Sequence, residues 1–163
     1  MRTSHKQIPP LSIDALTPYF DLLCRLAGYG TAFRERVLKA GHIQDGNRIL
    51  DVGSGTATFV VMAKRRYPRS IVVGIEPDQR ALAIARRKVE RSGVPSNLIR
   101  AGAEKLPFKS STFDVVFSTL VFHHLPTEIK KQALAEIYRV LGAEGRLLLV
   151  DFGKSEVNLV KPI

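Results

Sequence analysis

From Arg48 onward the chain switches between two hydrophobic patterns. Short runs that are apolar nearly throughout are separated by longer stretches in which apolar residues recur every three or four positions. The runs are Arg48-Ile49-Leu50-Asp51-Val52, Ser70 to Glu76, Asn97 to Ala101, Phe113 to Ser118 and Gly145 to Phe152. Their length predicts strands. Because they do not alternate with polar residues, they suit a parallel sheet covered by helices on both faces. The stretches between them predict helices: Thr58 to Arg66, with Phe59 and Ala63 on one face; Asp78 to Arg91, striped by Ala81, Leu82, Ala85 and Val89; and Thr127 to Leu141, with Leu134, Ile137, Tyr138 and Leu141 on one side. Asp78 reads as an N-cap and Gly93 as a stop. Upstream, Ile13 to Leu26 carries Leu16, Tyr19, Phe20 and Leu23 at helical spacing, and Thr31 to Ala40 is helical again, with Gly28 and Gly30 between the two. Strands alternating with helices define an α/β fold: a doubly wound, Rossmann-like parallel sheet of about five strands joined by right-handed crossovers.

The 163 residues suit one domain. Along it we distinguish a loose lead-in (1–12, with Pro9-Pro10), N-terminal helices (13–45), a core (46–152) and a short tail (153–163). An apolar fraction of 45% excludes wholesale disorder. No apolar run reaches the ~20 residues of a membrane span. The single Cys24 can form neither an internal disulfide nor a thiolate metal cage. No secretory h-region is visible near the N-terminus, so the expected location is cytoplasmic. The 25 Lys and Arg against 15 Asp and Glu give +10. That excess is concentrated between Lys64 and Arg100, where ten basic residues face three acids. No aromatic ladder for stacking bases is interleaved with them, so a solvated face is the leading reading, ahead of a nucleic-acid partner or an anionic membrane surface.

In doubly wound sheets ligands lie beyond the carboxyl ends of the strands, where strand order reverses. The unusual residues fall there. After the first strand comes Asp51-Val52-Gly53-Ser54-Gly55-Thr56-Ala57-Thr58. Two glycines permit positive φ and close approach to bare backbone, and the following helix offers free N–H groups. After the second strand comes Glu76, 21 residues beyond Gly55, a carboxylate suited to both hydroxyls of a ribose. Strand, G-x-G, helix, strand and acid in that order predict an adenosine-type ligand. A dinucleotide fold would place a third glycine where Thr58 stands, which argues against NAD.

With these residues in view, the chain resembles the class I S-adenosylmethionine-dependent methyltransferases, and within them the ubiquinone/menaquinone-biosynthesis C-methyltransferase type. The segments that carry the resemblance are Ile49 to Thr56, Val73 to Pro77, Ala103 to Phe108, Thr112 to Ser118, Phe122 to Leu125, Glu136 to Leu141 and Gly145 to Phe152. The resemblance implies S-adenosyl-L-methionine as cofactor, S-adenosyl-L-homocysteine as product and a small-molecule acceptor. By position it implies that Asp51, Gly53, Ser54 and Gly55 line the methionine end and that Glu76 holds the ribose. Pro77 and Asp78 would flank the adenine, while the Ala103 N–H, with Glu104 beside it, would face the adenine edge. Ser118 and Thr119 would lie near the amino-acid moiety and the transferring methyl. No metal is implied.

Two positions depart from the family pattern. Its third loop glycine is Ala57 here, and the Asp expected before Ala103-Glu104 to accept from the adenine amino group is Gly102, which leaves Glu104 as a candidate substitute. An activated sulfonium methyl needs chiefly alignment with its acceptor; a base is needed only if the acceptor must lose a proton. His123 and His124, after the fourth strand, are candidates for positioning or deprotonating the acceptor, the alternative being a packing pair at a helix start. The family fold continues beyond the fifth strand with a helix and an antiparallel strand pair, for which residues 153–163 are too few. Either the chain is a fragment or short form, or a partner copy pairs with the uncovered edge, so a homodimer is a further expectation. Two other readings stay open: a catalytically weak cofactor-binding module acting through a partner chain, and, lower, a nucleic-acid methyltransferase using the basic flank.

Overall fold

The computed structural model describes residues 28–152. The expected helix over Ile13–Leu26, the lead-in and the tail lie outside that range. In chain order the elements are α1 (Thr31–Ala40), β1 (Arg48–Val52), α2 (Thr58–Arg66), β2 (Ile71–Ile75), α3 (Gln79–Ser92), β3 (Asn97–Ile99), β4 (Phe113–Thr119), a short 3-10 turn (Phe122–His124), α4 (Thr127–Val140) and β5 (Leu141–Val150). The five strands form one sheet in the order β3-β2-β1-β4-β5. Every pairing is parallel.

Although the strands are apolar throughout, their side chains divide between two cores. Ile49, Val72, Val115 and Phe117 face Val37 and Leu38 of α1, Phe59, Val60 and Ala63 of α2, and Ala85 of α3. Leu50, Val52, Val73, Ile75 and Val116 face Ala133, Ile137 and Val140 of α4. This is the two-residue period of a strand buried on both faces. Ile49, Leu50 and Val52 have no exposed surface, and each contributes about 1.5–3 kcal/mol by burial. Leu50→Ala would leave a cavity under α4 and cost about 2–5 kcal/mol.

Local signals set most boundaries. The Asp78 carboxylate accepts the Ala81 N–H at 2.7 Å and starts α3; Gly93, at φ +66°, ends it in the left-handed conformation. β2 and β4 differ from expectation by one residue at an end, β3 and β5 by more. β3 is three residues long, ending at Ile99 rather than Ala101. β5 begins at Leu141, not Gly145, because the chain passes from α4 into the sheet with no intervening loop. Leu141 pairs with Phe113 and Arg146 with Val115, so the extra residues between them are taken up as an irregularity in the register.

Candidate functional site

Strand order reverses between β1 and β4, which are neighbours although β1 is followed in sequence by β2. A cleft at the carboxyl ends of these strands is where such a sheet receives a ligand. The first loop is tied down before it turns: the Gly53 and Ser54 N–H groups both donate to the Ile75 carbonyl, at 2.9 and 2.8 Å. Gly53 and Gly55 sit at φ +77° and +53°, as the sequence required. Their reasons differ. A Cβ on Gly53 would collide with the Val121 side chain, so this glycine lets the β4 loop rest on the β1 loop; a Cβ on Gly55 would meet nothing within 4 Å, so only its left-handed φ favours glycine there. Ser54 turns inward, its hydroxyl lying against the Gly74 backbone. Ala57, where the family pattern has glycine, is fully buried and adopts φ +61°, a conformation that costs a residue with a Cβ about 1–2 kcal/mol.

Two carboxylates are buried at the strand ends. Glu76, 6% exposed, accepts the Gly55 N–H on Oε2 and the Asp78 N–H on Oε1, each at 2.9 Å. One carboxylate thus clamps the β1 and β2 loops together and keeps a further lone pair on each oxygen. Burial raises its pKa, against the two N–H donors, which lower it. Asp51, 3% exposed, is pushed up to about 7 by burial, opposed by the Arg34 charge and reinforced by Glu76. Arg34 comes from α1, where its guanidinium donates to the Tyr29 carbonyl at 2.7 Å. An acid buried at this cost near the end of β1 is a functional-site candidate.

The loop after β3 supplies the third wall. The Glu76 N–H donates to the Ile99 carbonyl at 3.1 Å and the Arg100 side chain to the Pro77 carbonyl at 3.2 Å, which joins this loop to the β2 end. Ala103 is buried, and a Cβ on Gly102 would collide with the Glu104 carboxylate. The missing side chain at 102 is therefore what lets Glu104 fold back into that space, with its Oε2 buried and unpartnered. An ion pair on α4 holds the loop from beneath: Glu136 accepts the Leu106 N–H at 2.7 Å, and Arg139 donates to the Phe108 and Leu106 carbonyls at 2.7 and 3.1 Å. The hydrogen bonds from Arg139 bring Glu136 down to about 2 despite partial burial.

The β4 end supplies the remaining residues. Ser118 is fully buried and its hydroxyl donates to the Val52 carbonyl at 3.3 Å, which fixes β4 to β1. The Thr119 hydroxyl is buried with no partner. Leu120 then turns the chain at φ +59°, Val121 packs on Gly53, and the 3-10 turn presents His123 and His124 with ring centroids 3.8 Å apart. Burial and the neighbouring His123 lower the His124 pKa, against Asp151.

Of the residues singled out in the sequence, Asp51, Gly55, Glu76, Pro77, Ala103, Glu104 and Thr119 lie along one strand-end surface, with His123 and His124 on the turn that follows β4. Gly53, Ser54 and Ser118 make contacts that hold the loops. Arg34 and Asp151 were missed. The sequence placed Arg34 merely on a helix, whereas Asp151 stands just after the fifth strand, where the same strand-end rule would have found it.

A parallel sheet with buried acids at its switch point defines a doubly wound α/β protein with a candidate ligand site at its strand ends. The chain belongs to the class I methyltransferases: a methyltransferase-domain family profile matches residues 49–145. It is 37% identical over 139 residues to the demethylmenaquinone methyltransferase of Thermus thermophilus, covering 84% of this chain and 62% of that protein. It is 29% identical over 155 residues to the ubiquinone/menaquinone biosynthesis C-methyltransferase UbiE of Geotalea uraniireducens, covering 92% and 65%. The chain thus spans a little under two thirds of these relatives' length. Among solved structures, a SAM-dependent methyltransferase from Aquifex aeolicus shares the fold, with a TM-score of 0.74 at 24% identity, over 91% of this chain and 77% of that one.

Proposed function

We propose that the chain binds S-adenosylmethionine along the strand-end cleft and transfers its methyl group to a small-molecule acceptor, leaving S-adenosylhomocysteine. The observation that carries this reading is the set of unspent groups in the loops that follow the strand ends. Glu76 keeps free lone pairs for two ribose hydroxyls, Asp51 is a buried acid lacking a full countercharge, and Glu104 and Thr119 each hold a buried oxygen with no partner. A ligand carrying an ammonium, a diol and an exocyclic amine matches that donor and acceptor set. Asp51 takes the ammonium and Glu76 the ribose; Pro77 lies against the adenine, whose edge faces the Ala103 N–H and Glu104. Bound there, the cofactor supplies an activated methyl on a sulfonium centre. The protein's part is alignment and the exclusion of water.

The names of the relatives make demethylmenaquinone the first acceptor to test. Incubation with methyl-labelled cofactor and reduced demethylmenaquinone should place label in the quinone product. Titration calorimetry with S-adenosylmethionine comes first; absence of heat and of thermal shift at millimolar cofactor would end the proposal. β5 is an outer strand of the described sheet, and a second copy would pair along it; light scattering that finds only monomer at micromolar concentration would refute that pairing. Among the described residues no helix is long and apolar enough to cross a membrane. The basic flank around α2 and α3 is the surface we assign to any contact with anionic lipid.

A further inference from the structure

The histidine pair is not symmetric. His123 Nδ1 lies 2.6 Å from Asp151 Oδ1, and the His123 backbone N–H donates to Asp151 Oδ2 at 3.0 Å. The carboxylate is held a third time by the Phe152 N–H, which donates to Oδ1 at 2.7 Å. Asp151 therefore stands fixed at the end of β5, 13% exposed at its side chain, against a His123 ring that is 28% exposed. Burial pushes the Asp151 carboxyl up, but the Phe152 N–H and then the two His123 contacts bring it below its ordinary value. An ionised carboxylate only accepts hydrogen bonds, so His123 Nδ1 must carry a hydrogen. In the neutral ring the lone pair is then on Nε2. Around the ring stand His124, at 3.8 Å between centroids, and Phe152, edge-on at 4.9 Å, which in turn packs edge-on against Tyr29 at 5.7 Å. The titratable groups facing His123 are thus Asp151 and His124. The turn bearing His123 is seated on the glycine loop through Val121 and Gly53, and the left-handed Leu120 that re-aims the chain is backbone strain of the kind found at functional sites.

We propose that Asp151 is a positioning residue that holds His123 with Nδ1 protonated, so that His123 Nε2, and not His124, takes the proton the acceptor must lose when it is methylated. The proposal rests on the methyl-transfer reading above. The balance is simple: the acceptor exchanges a hydrogen for the methyl group, the sulfonium becomes a neutral thioether, and the released proton passes to His123 Nε2 and then to water. A base so held contributes on the order of 10²–10⁴ in rate.

Two measurements test it. In the protein without cofactor, 15N NMR of labelled histidines at about pH 8 should find His123 as the Nδ1–H tautomer, and Asp151→Asn should release it to the other. A wild-type His123 protonated on Nε2 overturns the proposal, whatever the variants do. In turnover of reduced demethylmenaquinone, Asp151→Asn and His123→Gln should each lower kcat by at least ~10²-fold with cofactor affinity unchanged. His123→Gln should also remove the fall in rate on the acid side of the pH profile. His124→Gln should keep that fall, and Asp151→Glu should recover part of what Asp151→Asn loses. A His123→Gln protein with wild-type kcat and an unaltered acid side would overturn the base role. Failure of the parent reading shows separately, as wild-type protein that gives no heat with S-adenosylmethionine.

Discussion

Replacing Asp51 by Asn should make the free protein more stable and its cofactor complex weaker. Asp51 is 3% exposed, and burial raises its pKa from 3.8 to about 7, the Arg34 charge offsetting part of that effect. Between those values the folded chain holds a proton that the unfolded chain has released, so the group's contribution to stability falls as pH rises, reaching its minimum above about 7. Three units at 1.36 kcal/mol each make the ionised carboxylate a cost of about 4 kcal/mol above neutrality. Asn has the same shape and no such cost. Urea denaturation of both proteins at about pH 5 and about pH 8 should show an advantage for Asp51→Asn that grows by about 2–3 kcal/mol across the interval. Glu76, raised in the same direction, is present in both proteins, so its own burial drops out of the difference and only its interaction with Asp51 remains in it. Arg34 keeps its hydrogen bond to the Tyr29 carbonyl in the variant. An advantage that is constant with pH, or that grows toward acid, would refute the reasoning. Calorimetry gives the other half: wild type should bind S-adenosylmethionine about tenfold more weakly at about pH 6 than at about pH 8, following the ionised fraction, while the variant binds weakly at both.

Four further outcomes are expected. Gly53→Ala combines φ +77° with a collision against Val121 and should cost at least about 2 kcal/mol by thermal denaturation. Ala57→Gly, which exchanges left-handed strain against a lost buried methyl, should change stability by less than about 1 kcal/mol in the same assay. Glu104→Gln, which keeps the shape but offers one acceptor oxygen, should weaken cofactor binding severalfold by calorimetry, in line with about 1 kcal/mol for one hydrogen bond. Glu136→Gln should loosen the loop over residues 103–108, seen as faster amide exchange at Leu106. Because Glu136 is held at about 2 against 4.5, its contribution is full above about 4.5 and lost as pH falls toward 2; that loss should be absent from the variant's acid denaturation curve.

The sheet and its order of elements were legible because burial on both faces leaves strands with no polar alternation, and because α3 begins at the Asp78 cap and ends at Gly93. β5 was misread by four residues: nothing local marks a helix that passes straight into a strand, and the early start at Leu141 exists only through its pairing with Phe113. The loop after β1 illustrates a similar limit. Nothing local to Gly53 shows that Val121, 68 positions away in sequence, packs where a side chain would be.

The sequence alone determined that an acid, two glycines and a second acid stand at the ends of neighbouring strands. Hydrophobic period and glycine spacing are local properties, and they fix which residues end up beyond which strand. Tertiary structure decided what those residues do to one another. The pKa of Asp51 depends on how completely three layers exclude water and on how near α1 brings Arg34. Gly102 and its candidate substitute Glu104 could be named from the sequence, but that the Glu104 carboxylate folds into the space a side chain at 102 would fill is a tertiary fact. The same holds for His123 and Asp151, 28 residues apart: two parallel strands, β4 and β5, end side by side, and that juxtaposition is what distinguishes His123 from its neighbour.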